Sequence, residues 1–154
     1  MALNEDTLVQ QTTADYLRDA LGWRSEFAYN TEVLGPEGSF GRKSEQDVVL
    51  TRILGEKLIA LNPGLPDAAY RDALRQIVEV GAGLRGMAAN REKYHLLRDG
   101  VKVSYRKPDG TLEVRTLRVF DFDTPENNDF LAVREVWVKG ELYRRRPDII
   151  GFVN

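Results

Sequence analysis

The chain has 154 residues, 42% of them hydrophobic and 30% charged, with a net charge of −2. That balance excludes a disordered or fibrous chain and a uniformly basic nucleic-acid binder. No apolar run approaches the roughly 20 residues needed to span a bilayer, MALNEDTLVQQ lacks the basic start and apolar stretch of a secretion signal, and the absence of cysteine excludes disulfides, thiolate zinc sites and a cysteine nucleophile. The composition fits a reducing cytoplasm and no membrane.

In chain order, a first helix is expected to open after Asn4 or Asp6, either a good N-cap. Val9, Tyr16, Leu17, Ala20 and Leu21 form its apolar face, and Gly22 ends it. A strand is expected over residues 26–33. The glycine-rich stretch GPEGSFGRKS then leads to a second helix, with Ser44 and Asp47 spaced like a capping box. Leu50, Ile53, Leu54, Leu58 and Leu61 give that helix its stripe, and Asn62-Pro63-Gly64 stops it. Pro66 suits the first turn of a third helix carrying Tyr70, Ala73, Leu74, Ile77 and Val78. Gly81 and Gly83 interrupt, and a fourth helix is expected over residues 86–98, closed by Asp99-Gly100.

The hydrophobic period then changes to two. Val101, Val103 and Tyr105 alternate with polar residues. Pro108-Asp109-Gly110 turns the chain, and Leu112, Val114 and Leu117 mark the return strand. Further strands are expected over residues 130–139 and 143–153. Helices first and mostly antiparallel strands later predict an α+β, or mixed α/β, chain, and with no linker visible it reads as a single domain.

Several stretches resemble sites and fail as such. Residues 35–44 lie between strand and helix as a phosphate-binding loop would, but Arg42 separates Gly41 from Lys43-Ser44, so ATP binding is not expected there. Asp121 opens an acidic run like a calcium loop, yet position six is Glu126 and position twelve is Ala132; Asx-turns are expected instead. His95 is the only histidine and cannot build a multi-histidine metal site.

Charge is unevenly placed. Between Arg134 and Arg146, five basic residues (Arg134, Lys139, Arg144, Arg145, Arg146) stand against Glu135 and Glu141, a local balance of +3. Either a polyanion partner or a solvated strand face explains this. Asp148 follows Pro147 at the entrance to the apolar strand Ile149-Ile150-Gly151-Phe152-Val153. A rigidly held carboxylate beside cations suits Mg²⁺ and a phosphodiester, and equally suits a strand-starting Asp beside a charged turn.

RRRPDIIGFVN resembles the Pro-Asp half of the Pro-Asp…(Asp/Glu)-x-Lys nuclease signature found in the restriction subunits of type I restriction-modification enzymes. NEDTLVQQ, VLGPEGSFGR, ALNPGLP, NREKYHLLRDGV and FDFDTPENNDFLAV agree in the same order, so the resemblance runs along essentially the whole chain. It implies a restriction-endonuclease-like core with N-terminal helices and a mixed sheet, truncated before its final core strands. It implies that Asp148 is a catalytic Mg²⁺ ligand, with Arg144, Arg145, Arg146 and Lys139 as DNA-binding candidates. The partnering Glu and Lys belong on a following strand, whereas only six residues follow Asp148 and none is Glu or Lys. The chain alone is therefore expected to be inactive, and an unpaired last strand invites self-association. Gln10 stands near a position where the family often carries Glu, and no ionic role is carried over to it. Gly151 replaces a larger apolar residue, which is expected to loosen the strand. The resemblance further implies double-stranded DNA, modification and specificity subunits as partners, and ATP used by motor domains outside these residues. The alternative is a non-catalytic DNA-binding or subunit-docking module on the same scaffold.

Overall fold

The computed structural model describes residues 5–79, 81 and 83–154. It is an α+β fold whose elements run α1 (Glu5–Leu21), β1 (Arg24–Phe27), α2 (Thr51–Leu61), α3 (Asp67–Val78), α4 (Gly86–Asp99), β2 (Val101–Arg106), β3 (Leu112–Leu117), a 3₁₀ turn (Pro125–Asn127), β4 (Phe130–Arg134), β5 (Val138–Lys139), β6 (Arg144–Arg145) and β7 (Ile149–Val153). No described helix is long and apolar enough to cross a membrane. The chain divides into two compact units: one takes the chain up to Arg52 together with Asp129–Asn154, and the other is the continuous stretch Ile53–Asn128. The first boundary falls inside α2, so no proline- or glycine-rich linker marks it.

The discontinuous unit is built on a three-stranded mixed sheet, order β1-β4-β7. Central β4 pairs with β1 in parallel, Phe27 opposite Arg134, and with β7 antiparallel, Arg134 opposite Ile149. Leu131, Ala132 and Val133 of β4 are fully buried, as the middle strand of a covered sheet requires. The other edge of β7 has no partner strand among the described residues. Helix α1 packs on β1 and β4. It ends as expected: Gly22 takes φ +70°, and Trp23 N–H reaches back to the Leu17 carbonyl at 3.0 Å, closing a Schellman turn.

The α1 face differs from the expected one. Val9, Tyr16 and Leu21 are 64%, 61% and 55% exposed, whereas Ala14 is buried and Gln10 and Leu17 are half-buried. The inward stripe is thus Gln10–Ala14–Leu17, at i, i+4, i+7, with a polar residue where a hydrophobic period would be sought. Of the two caps expected, Asn4 lies outside the described residues, and Asp6 falls within the helix.

The second helix also begins later than its apparent capping box. Asp47 Oδ2 accepts from the N–H groups of Lys43 (2.7 Å) and Ser44 (3.2 Å), closing a turn, and the chain enters α2 only at Thr51. Asx- and cap-type bonds use the same side chains, so the spacing suits either. The expected 26–33 strand stops at Phe27, where the chain turns through Asn30 (φ +54°). The expected 130–139 strand is divided by Glu135, also at φ +54°, and the 143–153 strand by Arg146-Pro147-Asp148. The short β5 and β6 form their own antiparallel ribbon.

Gly151 does not leave a gap. A Cβ there would stand 3.0 Å from the indole of Trp23, which lies over the strand and also meets Phe130 at 5.4 Å between ring centroids. The missing side chain makes room for the tryptophan, so the expected loosening is offset.

In the continuous unit, α3 buries Ala69, Tyr70, Ala73 and Ile77 and packs on β2. The β2–β3 hairpin is antiparallel from Val101↔Leu117 to Arg106↔Leu112, as its alternation predicts. The FDFDTPENND stretch is an Asx-turn: buried Asp121 accepts from Asp123 N–H (3.2 Å), Thr124 N–H (3.1 Å) and the Asn127 amide (2.8 Å). His95 lies on the surface of α4 with Nδ1 3.3 Å from Asp99.

Near the hairpin end, Glu113 meets Lys107 at 2.9 Å and Arg115 at 2.6 Å. These hydrogen bonds, Lys107's foremost, push its carboxyl down to about 2 from an ordinary 4.5. A depressed carboxyl contributes stability above its unfolded pKa and loses it as pH falls through its folded one. Urea unfolding of wild type and Glu113→Gln is therefore expected to differ at neutral pH. The gap should close as pH falls from about 4.5 to about 2; a gap independent of pH would contradict this.

Candidate metal and phosphate site

Asp148 stands just before β7, with its carbonyl accepting from Glu135 N–H at 3.0 Å, one step beyond the Arg134↔Ile149 pair. Its side chain is exposed. Oδ1 accepts from the Gln10 amide at 2.9 Å, so α1 reaches across to the sheet end. Among the described residues the carboxylate has no other hydrogen-bond partner. The next residue of α1, Gln11, does the complementary thing: its amide nitrogen donates to Asp15 at 2.9 Å and its amide oxygen accepts from Arg134. Successive glutamines thus hold a carboxylate and a guanidinium at the ends of neighbouring strands.

The basic run resolves into two kinds of residue. Arg144 makes a two-pronged ion pair with Glu45 (2.6 and 2.7 Å) and lies 3.7 Å over the Trp137 ring. Those hydrogen bonds hold the Glu45 carboxyl below, and the Arg144 guanidinium above, its ordinary range. Arg146 meets Glu135 at 3.5 Å and covers the Tyr29 ring at 4.2 Å. Arg145 faces Tyr143 at 5.4 Å, and neither Arg145 nor Lys139 has an ion-pair partner among the described residues. The structure therefore brings Arg146 and Asp148 to one end of the sheet, ties Arg144 down, and leaves Lys139 and Arg145 exposed on the β5–β6 ribbon.

The glycine-rich loop before α2 supports this end of the sheet. Arg42, 2% exposed, pairs with Glu32 at 2.5 and 2.8 Å and donates to the carbonyls of Trp137 (2.9 Å) and Asp47 (3.3 Å). Lys139 N–H adds a bond to the Glu45 carbonyl at 2.9 Å. The arginine that spoils the phosphate-loop spacing is the centre of the loop's own fold. An arginine among glycines ordinarily lies at the surface, and the distant partners Glu32 and Trp137 account for its burial.

As a metal site the residue set is partial. No three His, Asp or Glu side chains are grouped to hold an ion among the described residues. Asp148 offers one carboxylate, and a rotation of the Gln10 amide would present a neutral oxygen beside it. Mg²⁺ commonly takes one or two carboxylates and completes its shell with water and phosphate oxygens, so this set fits one protein corner of such a site.

The chain matches the family model for the N terminus of the type I restriction enzyme R protein over residues 2–154 and belongs to that family. It is 35% identical over 153 residues to the type I restriction enzyme HindI endonuclease subunit of Haemophilus influenzae, a match covering 99% of this chain and 14% of that relative.

Proposed function

We propose that this chain is part of the Mg²⁺-dependent DNA endonuclease domain of an ATP-dependent type I restriction enzyme that cleaves unmodified foreign DNA in the cytoplasm. The observation that carries this is the exposed Asp148 carboxylate, fixed at a strand end by the Glu135 backbone and on one oxygen by Gln10. Asp148 is the metal ligand of the site and Gln10 orients it. A bound Mg²⁺ supplies Lewis-acid polarisation of the phosphoryl group and a more acidic water. Exposed Lys139 and Arg145 meet phosphates of double-stranded DNA. Arg144 and Arg146 chiefly shape the turn that delivers Asp148. A second carboxylate and a lysine, needed to share the ion and steady the phosphoryl charge, come from residues outside this chain. So do the ATP-driven motor and the contacts with modification and specificity subunits.

The test has two arms. With Mg²⁺, the 154-residue chain on its own is expected to leave supercoiled plasmid uncut. In the assembled enzyme, Asp148→Asn should reduce cleavage by at least about a hundredfold while ATP hydrolysis continues. Nicking by the isolated chain that disappears in Asp148→Asn would show that the catalytic set is complete here. Unchanged cleavage by the assembled Asp148→Asn enzyme would favour the second reading, a docking module. The exposed ribbon tip, with Leu142 84% and Tyr143 66% exposed, favours that reading.

A further inference from the structure

Among the described residues of the discontinuous unit, Arg18 meets Asp15 and Asp19, Arg24 meets Asp129, Arg42 meets Glu32, Arg144 meets Glu45 and Arg146 meets Glu135. Arg134 meets no carboxylate among them, and unlike the exposed Arg145 it is not free in solvent. It is half-buried at the end of the central strand, with Ile149 opposite on one side and Phe27 on the other. Its guanidinium meets the Gln11 amide oxygen and lies 5.4 Å from the Phe27 ring centroid, and its Nε is buried with no hydrogen-bond partner.

An amide oxygen and a ring face orient a cation without neutralising it. Gln11 cannot readily turn away, because its nitrogen is committed to Asp15. A half-buried guanidinium whose Nε is out of water, with a spare N–H and no carboxylate beside it, gains from an arriving anion. Its planar fork matches a phosphate's oxygens better than an ammonium would. Asp148 lies one residue beyond Arg134's strand partner, yet Asp148 bonds to Gln10 and not to Arg134. Each charge instead meets a neutral amide, from consecutive positions of α1.

We propose that Arg134, oriented by Gln11, binds a phosphodiester group of the nucleic-acid backbone beside Asp148. The inference rests on the reading of this unit as one that handles DNA, and it adds the group that grips the strand next to the metal ligand. The central strand fixes the guanidinium's origin on both sides, so the contact sets the register of the backbone relative to Asp148.

Two measurements on this chain test it, using Arg134→Met, Arg134→Lys and the exposed control Arg18→Met. In the first, thermal unfolding is followed in inorganic phosphate and in chloride at equal ionic strength. Phosphate should raise the midpoint of wild type and Arg18→Met and leave Arg134→Met unmoved. In chloride, Arg134→Met should be at least as stable as wild type, since it removes an uncompensated charge. In the second, binding to a 30-base-pair duplex (about three helical turns) is measured against salt. Arg134→Met should bind at least about tenfold more weakly, with the salt slope smaller by about 0.9, and Arg134→Lys should recover part of the affinity with the wild-type slope. An equal phosphate shift and equal duplex affinity in Arg134→Met would overturn the proposal and make Arg134 a packing residue on Phe27. So would a large loss of stability in chloride with duplex binding intact. A phosphate shift that needs Arg134, without duplex binding by wild type, would uphold the anion site and reject its DNA ligand. Duplex binding by wild type that is indifferent to Arg134 would uphold the DNA reading of this unit and reject Arg134 as its phosphate contact.

Discussion

Replacing Arg42 with Met should cost about 3–5 kcal/mol of unfolding free energy, the range for removing one partner of a buried ion pair. The side chains of Arg42 and Glu32 are 2% and 8% exposed, so the substitution strands a carboxylate that water reaches poorly. It also removes the donors to the carbonyls of Trp137 and Asp47, and a buried carbonyl left unpaired adds its own penalty. The double variant Glu32→Leu/Arg42→Met should recover much of the loss, because it leaves no charge behind. Urea unfolding of the three proteins measures both. A single-variant loss below about 1 kcal/mol would mean that the pair is no better shielded than a surface one.

Gly41 carries the second large effect, for a purely steric reason. It adopts φ +76°, where an L side chain costs about 1–2 kcal/mol. A Cβ built there would lie 2.5 Å from the Arg52 backbone nitrogen and 2.9 Å from Thr51 Oγ1, which itself donates to the Gly41 carbonyl at 2.6 Å. Neither neighbour is the far end of a flexible side chain, so the loop must move off the start of α2. Gly41→Ala is expected to lose on the order of 3 kcal/mol from strain and displacement together. The comparison is Gly35→Ala: it has φ +120° but open space around a built Cβ, so it carries the backbone strain alone. Equal losses in the two variants would remove the clash from the account.

What could be read in advance follows the range of the forces involved. Helices α3 and α4 and the β2–β3 hairpin lie close to where periodicity and turn residues place them, because the α3 stripe, the proline and glycine breaks and the hairpin's alternation are all local signals. Helix α1 exists as expected but turns another face inward. Gln10 and Gln11 spend their side chains on Asp148 and Arg134, more than 120 residues away, and a hydrophobic period is blind to such bonds. Glu135 interrupts its strand at positive φ, although glutamate has no preference for that region. The same division holds at the site. The Pro-Asp motif singles out Asp148, and charge counting finds the basic run. Only three-dimensional partners separate Arg144 and Arg146, already paired, from Lys139 and Arg145. Arg134 reads in sequence as one more member of a +3 cluster; what distinguishes it is that it is half-buried, with its Nε unpaired.

The parallel pairing of β1 with β4 sets a timetable for a chain made from its N terminus. The continuous unit can make its contacts as soon as residue 128 has been added. The sheet bearing Asp148 cannot: β1 emerges first and waits about a hundred residues for its neighbour, since Arg24 pairs with Leu131. Until then the inner edge of β1 has no strand beside it and α1 lacks its contacts with β4, and closing so long a loop slows the pairing further. A chain at that stage has all the residues of one unit and only part of the other's sheet. Residues Asp129–Asn154 then add β4 and β7 and set Asp148 against the α1 that has waited for it.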